Sequence, residues 1–385
     1  MTSEITLNNN SAQLQNWHEE LFKKEKIPFL QNQLDLAEKY NKQKFSDFSD
    51  TDMLIWFLHE RKHLIKEHNR AERTVKEYER ELSLFITNIL TYHTEIDIDI
   101  DHIVEASLFK SLDSRHLRRY QEWLTTSSPY VLKKGSYSIA TLERKTSIIK
   151  SFFIFLFKKK YIEEPIYEDL KIINTRKRER PNRDLGAMEI VTLLNGFRDI
   201  KHPVMFTIVH VLTTTGLRNE EFCNLKIASL QEDIISGGYY LDVVGKGNKK
   251  RQIPLKSKVV DTIKMFRAAR GLLSIEKADL NEPLFTTNKG TAFKPTYLSK
   301  YVTTEINSLY ISLGKEPDKI KKITPHYFRH AFAIISQKSG ISVYTIMLSL
   351  GHERLETTEI YLEKVLAKEN HAIHRWNSDL LGDYI

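Results

Sequence analysis

Apolar side chains in the first half of the chain recur at the spacing of amphipathic helices. The 3.6-residue repeat is followed by Val75, Tyr78, Leu82, Phe85, Ile86 and Ile89. Similar patterns predict helices near 113–124 and 139–159. We therefore expect residues 67–171 to form a helical domain. Among its basic residues, Arg144 and Lys145 are candidates for contact with a polyanion, although basic helix faces are commonly just solvated.

The segment before this domain, residues 1–66, also shows helical amphipathic patterning from about residue 12 onward. Nothing in its sequence indicates chemistry. We interpret it as a helical extension of unknown role that packs on its neighbour or on a partner.

A polar and strongly basic stretch follows the helical domain. Residues 172–184 read IINTRKRERPNRD and include a proline, which is typical of an interdomain linker. A linker of this charge is predicted to follow phosphates, with simple disorder as the alternative. Its candidate contacts are Arg176, Lys177 and Arg178.

The remaining residues, 185–385, combine helical patterns with one short hairpin. Helices are predicted near 187–197 and 204–214. A strand at Tyr239–Val244, a glycine-rich turn and a return strand at Gln252–Leu255 predict the hairpin. The predicted fold class is therefore mainly α with a small antiparallel β-sheet.

Composition adds a class of partner to this picture. The chain has 385 residues, 41% of them hydrophobic, which suits two soluble domains. Its net charge of +8 attracts polyanions, although a merely basic protein has the same charge. The single cysteine, Cys223, allows no internal disulfide and fits the cytoplasm. We expect no signal peptide and no membrane span.

Cationic residues stand beside the glycines of the second domain. Arg218 follows the end of a predicted apolar helix, and Glu221 lies one turn on, where it can orient the guanidinium. Lys246 stands between two glycines at the hairpin tip, from which it can donate a proton into a groove. Taken alone, Arg218 also fits a surface arginine and Lys246 an exposed turn. The candidates for holding phosphates beyond the tip are Lys249, Lys250 and Arg251.

Three more residues with ionisable side chains share one helix face after Pro325. His326, Arg329 and His330 stand at i, i+3 and i+4. Because three such groups facing one point favour a bound anion, we assign His326 and Arg329 to the anion and His330 to a supporting hydrogen bond. A basic surface stripe is the alternative.

A glycine break separates His352 from Tyr361. Gly351 ends one helix, and Thr357 or Thr358 can cap the next, so both side chains can approach one site. Taken alone, a tyrosine at this position is more commonly a core aromatic.

Together these residues suit phosphoryl transfer by a phenol, with no metal and no cofactor. There is no carboxylate pair, no Cys/His metal spacing and no Walker loop. Arginine forks and histidine donors match the charge that gathers on the nonbridging oxygens of a reacting phosphate. A phenol becomes a nucleophile once its proton is taken, and a lysine can protonate the departing oxygen.

Four motifs resemble those of the tyrosine recombinases, the family of the phage integrases and the Xer-type and Cre-type site-specific recombinases. They are TGLRNEE at Thr215–Glu221, GKGNKKRQIPL at Gly245–Leu255, PHYFRH at Pro325–His330 and LGH…TTEIY at Leu350–Tyr361. Residues 67–171 resemble the family's helical core-binding domain less strongly, and residues 1–66 resemble nothing we can name. The one departure is Phe328, where the family often has leucine.

The resemblance implies a role for each residue around the phosphate. Arg218 and Arg329 would clamp the scissile phosphate, with Glu221 orienting Arg218. His352 would donate a hydrogen bond to a nonbridging oxygen. These four residues would hold the group that reacts.

The resemblance also implies the reaction itself. Tyr361 would attack to form a 3′-phosphotyrosyl link, His326 would act as general acid and base beside it, and Lys246 would protonate the leaving 5′-oxygen. The covalent link conserves bond energy, so neither ATP nor a metal is expected.

At the level of assembly, the resemblance implies a two-domain DNA clamp at recombination sites in double-stranded DNA. Four protomers would assemble on two sites and exchange C-terminal tails, with accessory proteins as further partners and a nucleoid-associated place in the cytoplasm. The reaction would serve DNA integration, excision or resolution. A tail packed back on its own domain is the alternative. The apolar residues of that tail are Val365, Leu366, Ile373, Trp376, Leu380 and Leu381.

Three other classes of protein remain open from the residues. A type IB topoisomerase uses a similar site as a monomer, but the separate helical domain and the tail disfavour it. A DNA-binding regulator without catalysis is disfavoured by the complete residue set. An RNA-binding protein is disfavoured because no aromatic stacking motif is present.

Overall fold

A computed structural model describes residues 24–61, 70–100, 104, 107–171 and 183–369, with only the backbone at 246, 364–366, 368 and 369. The chain divides into two compact units, Met1–Arg180 and Pro181–Ile385. The predicted linker contacts Arg176, Lys177 and Arg178 lie outside the described residues. The side chains of the predicted exchange tail lie outside them as well. Across the described ranges, no helix is long and apolar enough to cross a membrane.

The described part of the first unit is helical. The helices predicted near 113–124 and 139–159 begin after Asp113 and Ser138, whose side chains accept hydrogen bonds from the first-turn backbone N–H groups. The helices of this unit are α1 (Ile27–Lys39), α2 (Asp50–His59), α3 (Glu72–Ile96), α4 (Leu108–Ser111), α5 (Ser114–Thr126), α6 (Pro129–Lys134) and α7 (Ile139–Lys158).

Helix α2 falls in the predicted N-terminal extension, yet it is buried on almost all sides. Every residue from Met53 to Leu58 is at most 5% exposed. At the start of α2, the buried Asp50 carboxylate accepts hydrogen bonds from the Leu108 N–H at 2.7 Å and from the Tyr161 hydroxyl at 2.8 Å. Burial raises the pKa of this carboxyl. The described part of residues 1–66 therefore shares one hydrophobic core with the later helices of its unit.

The second unit is built from helices and a three-stranded antiparallel sheet of order β1-β2-β3. The predicted hairpin is β2 and β3, paired with Leu241 opposite Ile253. The additional strand β1, which the sequence pattern does not predict, pairs with the other edge of β2. The elements are α8 (Ala187–Asp199), α9 (Pro203–Thr215), α10 (Asn219–Cys223), β1 (Leu230–Glu232), β2 (Tyr239–Val244), β3 (Lys250–Leu255), α11 (Ser257–Ala269), α12 (Pro295–Ser312), α13 (Pro325–Lys338), α14 (Val343–Leu350) and α15 (Leu355–Glu369).

Helix α9 lies at the centre of the second unit. Its sequence PVMFTIVHVLTTT is apolar on nearly every side, and α8, α11 and α13 pack around it. The helix ends at Gly216, whose φ of 60° lies in the left-handed region that glycine adopts freely. The chain then turns so that Arg218 stands at the start of α10. The predicted fold class, mainly α with a small antiparallel sheet, is confirmed.

Candidate active site

Glu221 holds Arg218 as the sequence predicts. The Arg218 backbone N–H donates to Glu221 Oε2 at 2.8 Å, and Arg218 Nη1 donates to Oε1 at 2.7 Å. Arg218 Nη2 donates to the Gly351 carbonyl at 3.1 Å, which ties α10 to the turn after α14. The guanidinium is thus fixed at two ends while a third of the side chain stays exposed.

Arg329 is the most deeply buried cation of the site, with 1% of the residue exposed. Its Nη1 donates to the Gly216 carbonyl and its Nη2 to the Leu350 carbonyl, both at 2.6 Å. Its Nε–H has no hydrogen-bond partner among the described residues. Burial, followed by the charge of Arg218, lowers the pKa of Arg329 to about 10, so the group stays charged at neutral pH. A buried cation with a spare donor suits an anionic ligand.

His352 lies against Arg329 in a defined tautomer. Arg329 Nη2 can only donate, so at 2.9 Å it makes His352 Nε2 the acceptor. The His352 proton then lies on Nδ1, which donates to Thr358 Oγ1 at 2.9 Å. Burial and then the charge of Arg329 lower the pKa of His352 to about 3. In this state His352 is neutral, and its Nε2 has no proton to give to a phosphate.

Three histidine rings surround Tyr361. The centroid of the Tyr361 ring lies 3.9 Å from that of His330, 5.3 Å from that of His352 and 5.7 Å from that of His326. The His330 ring is stacked on the tyrosine, whereas the other two rings meet it edge to face. Tyr361 also interacts electrostatically with Arg329. The phenol therefore shares one site with the candidate phosphate ligands.

His326 and His330 are neutral for the same reason as His352. Burial, then the charge of Arg183, lowers the pKa of His326 to about 4. Burial, then His326, lowers the pKa of His330 to about 3. The expected supporting hydrogen bond of His330 is not found, because neither ring nitrogen has a partner among the described residues. His330 stacks on Tyr361 instead.

The hairpin brings its basic residues to the site in different ways. The backbone of Lys246 lies in a short turn at the tip. Lys249 pairs with Glu353 at 2.6 Å, and Lys250 is exposed. Arg251, expected to hold phosphate, donates both Nη groups to Glu221.

The DNA-contact candidates of the first unit are engaged in ion pairs. Arg144 contacts Glu77, and Lys145 Nζ lies 2.6 Å from Glu81 Oε2. The Lys145 side chain is 13% exposed. Both side chains would have to leave these partners to reach a phosphate.

Two residues of the site were missed by sequence reasoning. Arg183, assigned to the linker, lies close enough to lower the pKa of both His326 and His330. Thr358 was read only as a helix cap, but it is fully buried and fixes the His352 tautomer. A threonine that closely follows the histidine of the LGH motif is the sequence signal that could have indicated the role of Thr358.

Gly216→Ala is expected to lower the free energy of unfolding by about 2–4 kcal/mol, because it adds left-handed strain to a steric clash. A Cβ there would lie 2.7 Å from Leu350 Cδ2 and 3.1 Å from the Phe332 ring. Gly237→Ala is the matched control, since Gly237 has a φ of 73° and open space around it. Chemical denaturation should show a loss of only about 1 kcal/mol for the control. Equal losses would mean that the contact with Leu350 is unimportant.

A phenol in one site with two arginines and neutral histidines suits phosphoryl transfer. The sequence of residues 185–367 matches the phage integrase family. Over 244 residues the chain is 29% identical to the tyrosine recombinase XerC of Thermodesulfovibrio yellowstonii, covering 61% of this chain and 74% of that protein. It is 27% identical to XerC of Pelobacter propionicus, over 78% of this chain and 88% of the relative.

Two solved structures share the fold. The XerH site-specific recombinase bound to a palindromic difH substrate, in a post-cleavage complex, superposes with a TM-score of 0.57 at 22% identity, covering 79% of this chain and 80% of that one. A lambda integrase dimer bound to a COC′ core site superposes with a TM-score of 0.52 at 14% identity, covering 76% and 72%. Residues 185–367 therefore form a domain of the phage integrase family, and the relatives that match over most of the chain are tyrosine recombinases.

Proposed function

We propose that Tyr361 cleaves one DNA strand at a specific site and that the same residues rejoin it to a new partner. The observation that carries this proposal is the position of the Tyr361 ring among His326, His330 and His352, beside Arg329. Such an arrangement has little use as a packing solution, because it buries unpaired polar nitrogens. It suits a phenol that must lose a proton next to an anion.

In the proposed reaction, the Tyr361 oxygen forms a bond to phosphorus as the bond to the 5′-oxygen breaks. The phenolic proton passes to neutral His326, and Lys246 gives a proton to the departing 5′-oxygen. Arg218 and Arg329 neutralise the nonbridging oxygens. The product is a 3′-phosphotyrosyl link, which a 5′-hydroxyl from a second strand attacks in the reverse sequence.

The position of His352 adds a step to the role that the family resemblance implies. Its Nε2 accepts from Arg329 in the free chain, so donation to a phosphate oxygen requires a proton on that nitrogen. The charge of a bound phosphate supplies the driving force, because a nearby anion raises the pKa of an imidazole. His352 then donates as an imidazolium.

The DNA partner is proposed to contact both units. Lys250 and the linker residues Arg176, Lys177 and Arg178 would neutralise backbone phosphates, which position a protein without reading sequence. Four protomers would assemble on two sites through their tails, with accessory proteins as further partners on nucleoid DNA. The outcome would be integration, excision or resolution. The solved XerH, lambda integrase and Tn1549 integrase structures, which contain DNA, support the choice of partner.

The proposal is tested with nicked duplexes drawn from DNA that flanks the gene encoding the chain. The nick lets the cleaved fragment diffuse away, so a covalent adduct should accumulate on denaturing gels. Peptide sequencing of the adduct should place the DNA on Tyr361. Footprinting that shows binding at a defined site without any adduct would favour a non-catalytic regulator.

Lys246→Ala is expected to block cleavage of ordinary DNA and to leave cleavage intact when the bridging 5′-oxygen is replaced by sulfur. Sulfur is a better leaving group and needs no acid, so the substitution bypasses a missing proton donor. Rates of adduct formation on matched oxygen and sulfur substrates measure the effect. If Lys246 only holds a phosphate, the rate of adduct formation will fall equally on both substrates.

A further inference from the structure

Both Nη groups of Arg251 are held by a carboxylate of its own domain. Its side chain is 14% exposed. Nη1 donates to Glu221 Oε1 at 3.0 Å and Nη2 donates to Glu221 Oε2 at 2.7 Å. This is the fork-to-fork geometry in which one guanidinium engages both oxygens of one carboxylate.

Glu221 is shared between two arginines on different elements. The same carboxylate accepts from the backbone N–H and the Nη1 of Arg218. Although burial alone would raise the pKa of Glu221, the hydrogen bonds from Arg251 and Arg218 hold it at about 2. Removing the Arg251 guanidinium therefore leaves a buried carboxylate with half of its donors.

Two glycines allow the backbone to close on this pair. A Cβ on Gly351 would lie 3.2 Å from Arg251 Cδ and 3.3 Å from its Nη1. A Cβ on Gly245 would lie 3.0 Å from Glu221 Oε1. Three segments thus meet at one guanidinium: the hairpin that carries Lys246, the start of α10 that carries Arg218, and the turn that carries His352.

We propose that Arg251 is a positioning residue that fixes the Lys246 hairpin against the phosphate site. This inference rests on the proposed function, in which Lys246 protonates the leaving oxygen. A second ion pair of the described hairpin residues, Lys249 with Glu353, joins two groups that are more than half exposed and so contributes little rigidity. The pair of Arg251 with Glu221 is instead a buried, bidentate ion pair of fixed geometry. Because a misplacement of about 1 Å can cost ~100-fold in rate, the fork governs proton delivery by Lys246.

The test compares Arg251→Lys with the wild-type chain on nicked duplexes that carry either oxygen or sulfur at the bridging 5′ position. Lysine keeps the charge but cannot engage both oxygens of Glu221. Adduct formation on the oxygen substrate is expected to fall ~100-fold. The sulfur substrate should react at close to the wild-type rate, because it needs no proton from Lys246.

Lys250→Gln is the control for a phosphate contact. Because Lys250 is an exposed neighbour of Arg251, this substitution should lower DNA affinity and flatten its salt dependence. It should affect adduct formation on the oxygen and sulfur substrates equally. Arg251→Lys should leave the salt dependence unchanged. Gly245→Ala is a second probe, which leaves Arg251 unchanged but adds a Cβ that crowds the ion pair between Arg251 and Glu221. It should also lower the rate of adduct formation on the oxygen substrate selectively.

If Arg251→Lys lowers the rate of adduct formation equally on the oxygen and sulfur substrates, the inference is overturned, and Arg251 acts with Arg218 in phosphate binding or in folding. A flattened salt dependence would overturn it as well. Thermal melting identifies a variant that fails to fold, in which case Gly245→Ala decides. A wild-type chain that forms no adduct with either substrate would instead refute the proposed function.

Discussion

Tyr361→Phe should abolish covalent attachment to DNA while leaving the fold and DNA affinity close to those of the wild-type chain. The substitution removes one oxygen and keeps the ring, so the stacking on His330 and the edge contacts with His326 and His352 persist. Loss of a covalent nucleophile typically lowers the rate by at least about 10⁴-fold. Denaturing gels of nicked duplexes measure the adduct, and gel shifts measure binding.

The matched control for this experiment is Tyr344→Phe. Tyr344 is a tyrosine of the same unit that lies 62% exposed on α14. That variant should form adduct at the wild-type rate. Adduct that persists in Tyr361→Phe would mean that another side chain is the nucleophile, and peptide mapping would identify it.

Arg329→Lys should lower both activity and stability. The substitution keeps a positive charge but loses the fork that bonds Gly216, Leu350 and His352. Removing a preorganised donor to a reacting oxyanion costs ~100- to 1,000-fold in rate. Leaving two buried carbonyls without donors should cost about 2–4 kcal/mol of the free energy of unfolding. Single-turnover adduct formation and chemical denaturation measure the two effects.

Arg218→Lys separates the two effects. Because a third of the Arg218 side chain is exposed, this substitution should cost about 1 kcal/mol or less of the free energy of unfolding. It should slow adduct formation by about the same factor as Arg329→Lys. An Arg329→Lys variant that is as stable as Arg218→Lys would contradict the structural role given to Arg329. An Arg329→Lys variant with full activity would mean that Arg329 does not take part in the reaction.

The elements of the second unit follow closely from sequence, with one exception. Strand β2 runs over Tyr239–Val244 as its pattern predicts, and the apolar run at 204–214 lies within α9. Strand β1 was not predicted because it has only three residues, of which only Leu230 is buried. So short a segment shows no alternation, and its pairing with β2 stabilises it from outside.

Helix α2 shows what a helix prediction leaves open about a residue's surroundings. The pattern around Leu54, Ile55 and Trp56 predicts a helix on an extension that packs on its neighbour or on a partner, and the structure places it against its neighbour. A short helix that is apolar on every side belongs in a core, and the structure places it there. The buried Asp50 at its start could not be read from sequence, because its partners Leu108 and Tyr161 are distant in the chain.

For the site, residue type predicted which groups converge but not which of them pair. His326, Arg329, His352 and Tyr361 meet as the motifs predict. A basic residue near a glycine turn predicts a charge, whereas its partner depends on distances that only the fold determines. Arg251 was therefore assigned to phosphate although Glu221, separated from it by 30 positions, binds it.

In the free site, charged arginines lie beside neutral histidines. When a phosphate enters, its charge favours a proton on Nε2 of His352. In the proposed reaction, association with DNA would then consume a proton from the solution, so that by linkage the binding equilibrium would depend on pH. Under the proposed role of His352, the occupancy of DNA would depend on local pH before any strand is cut.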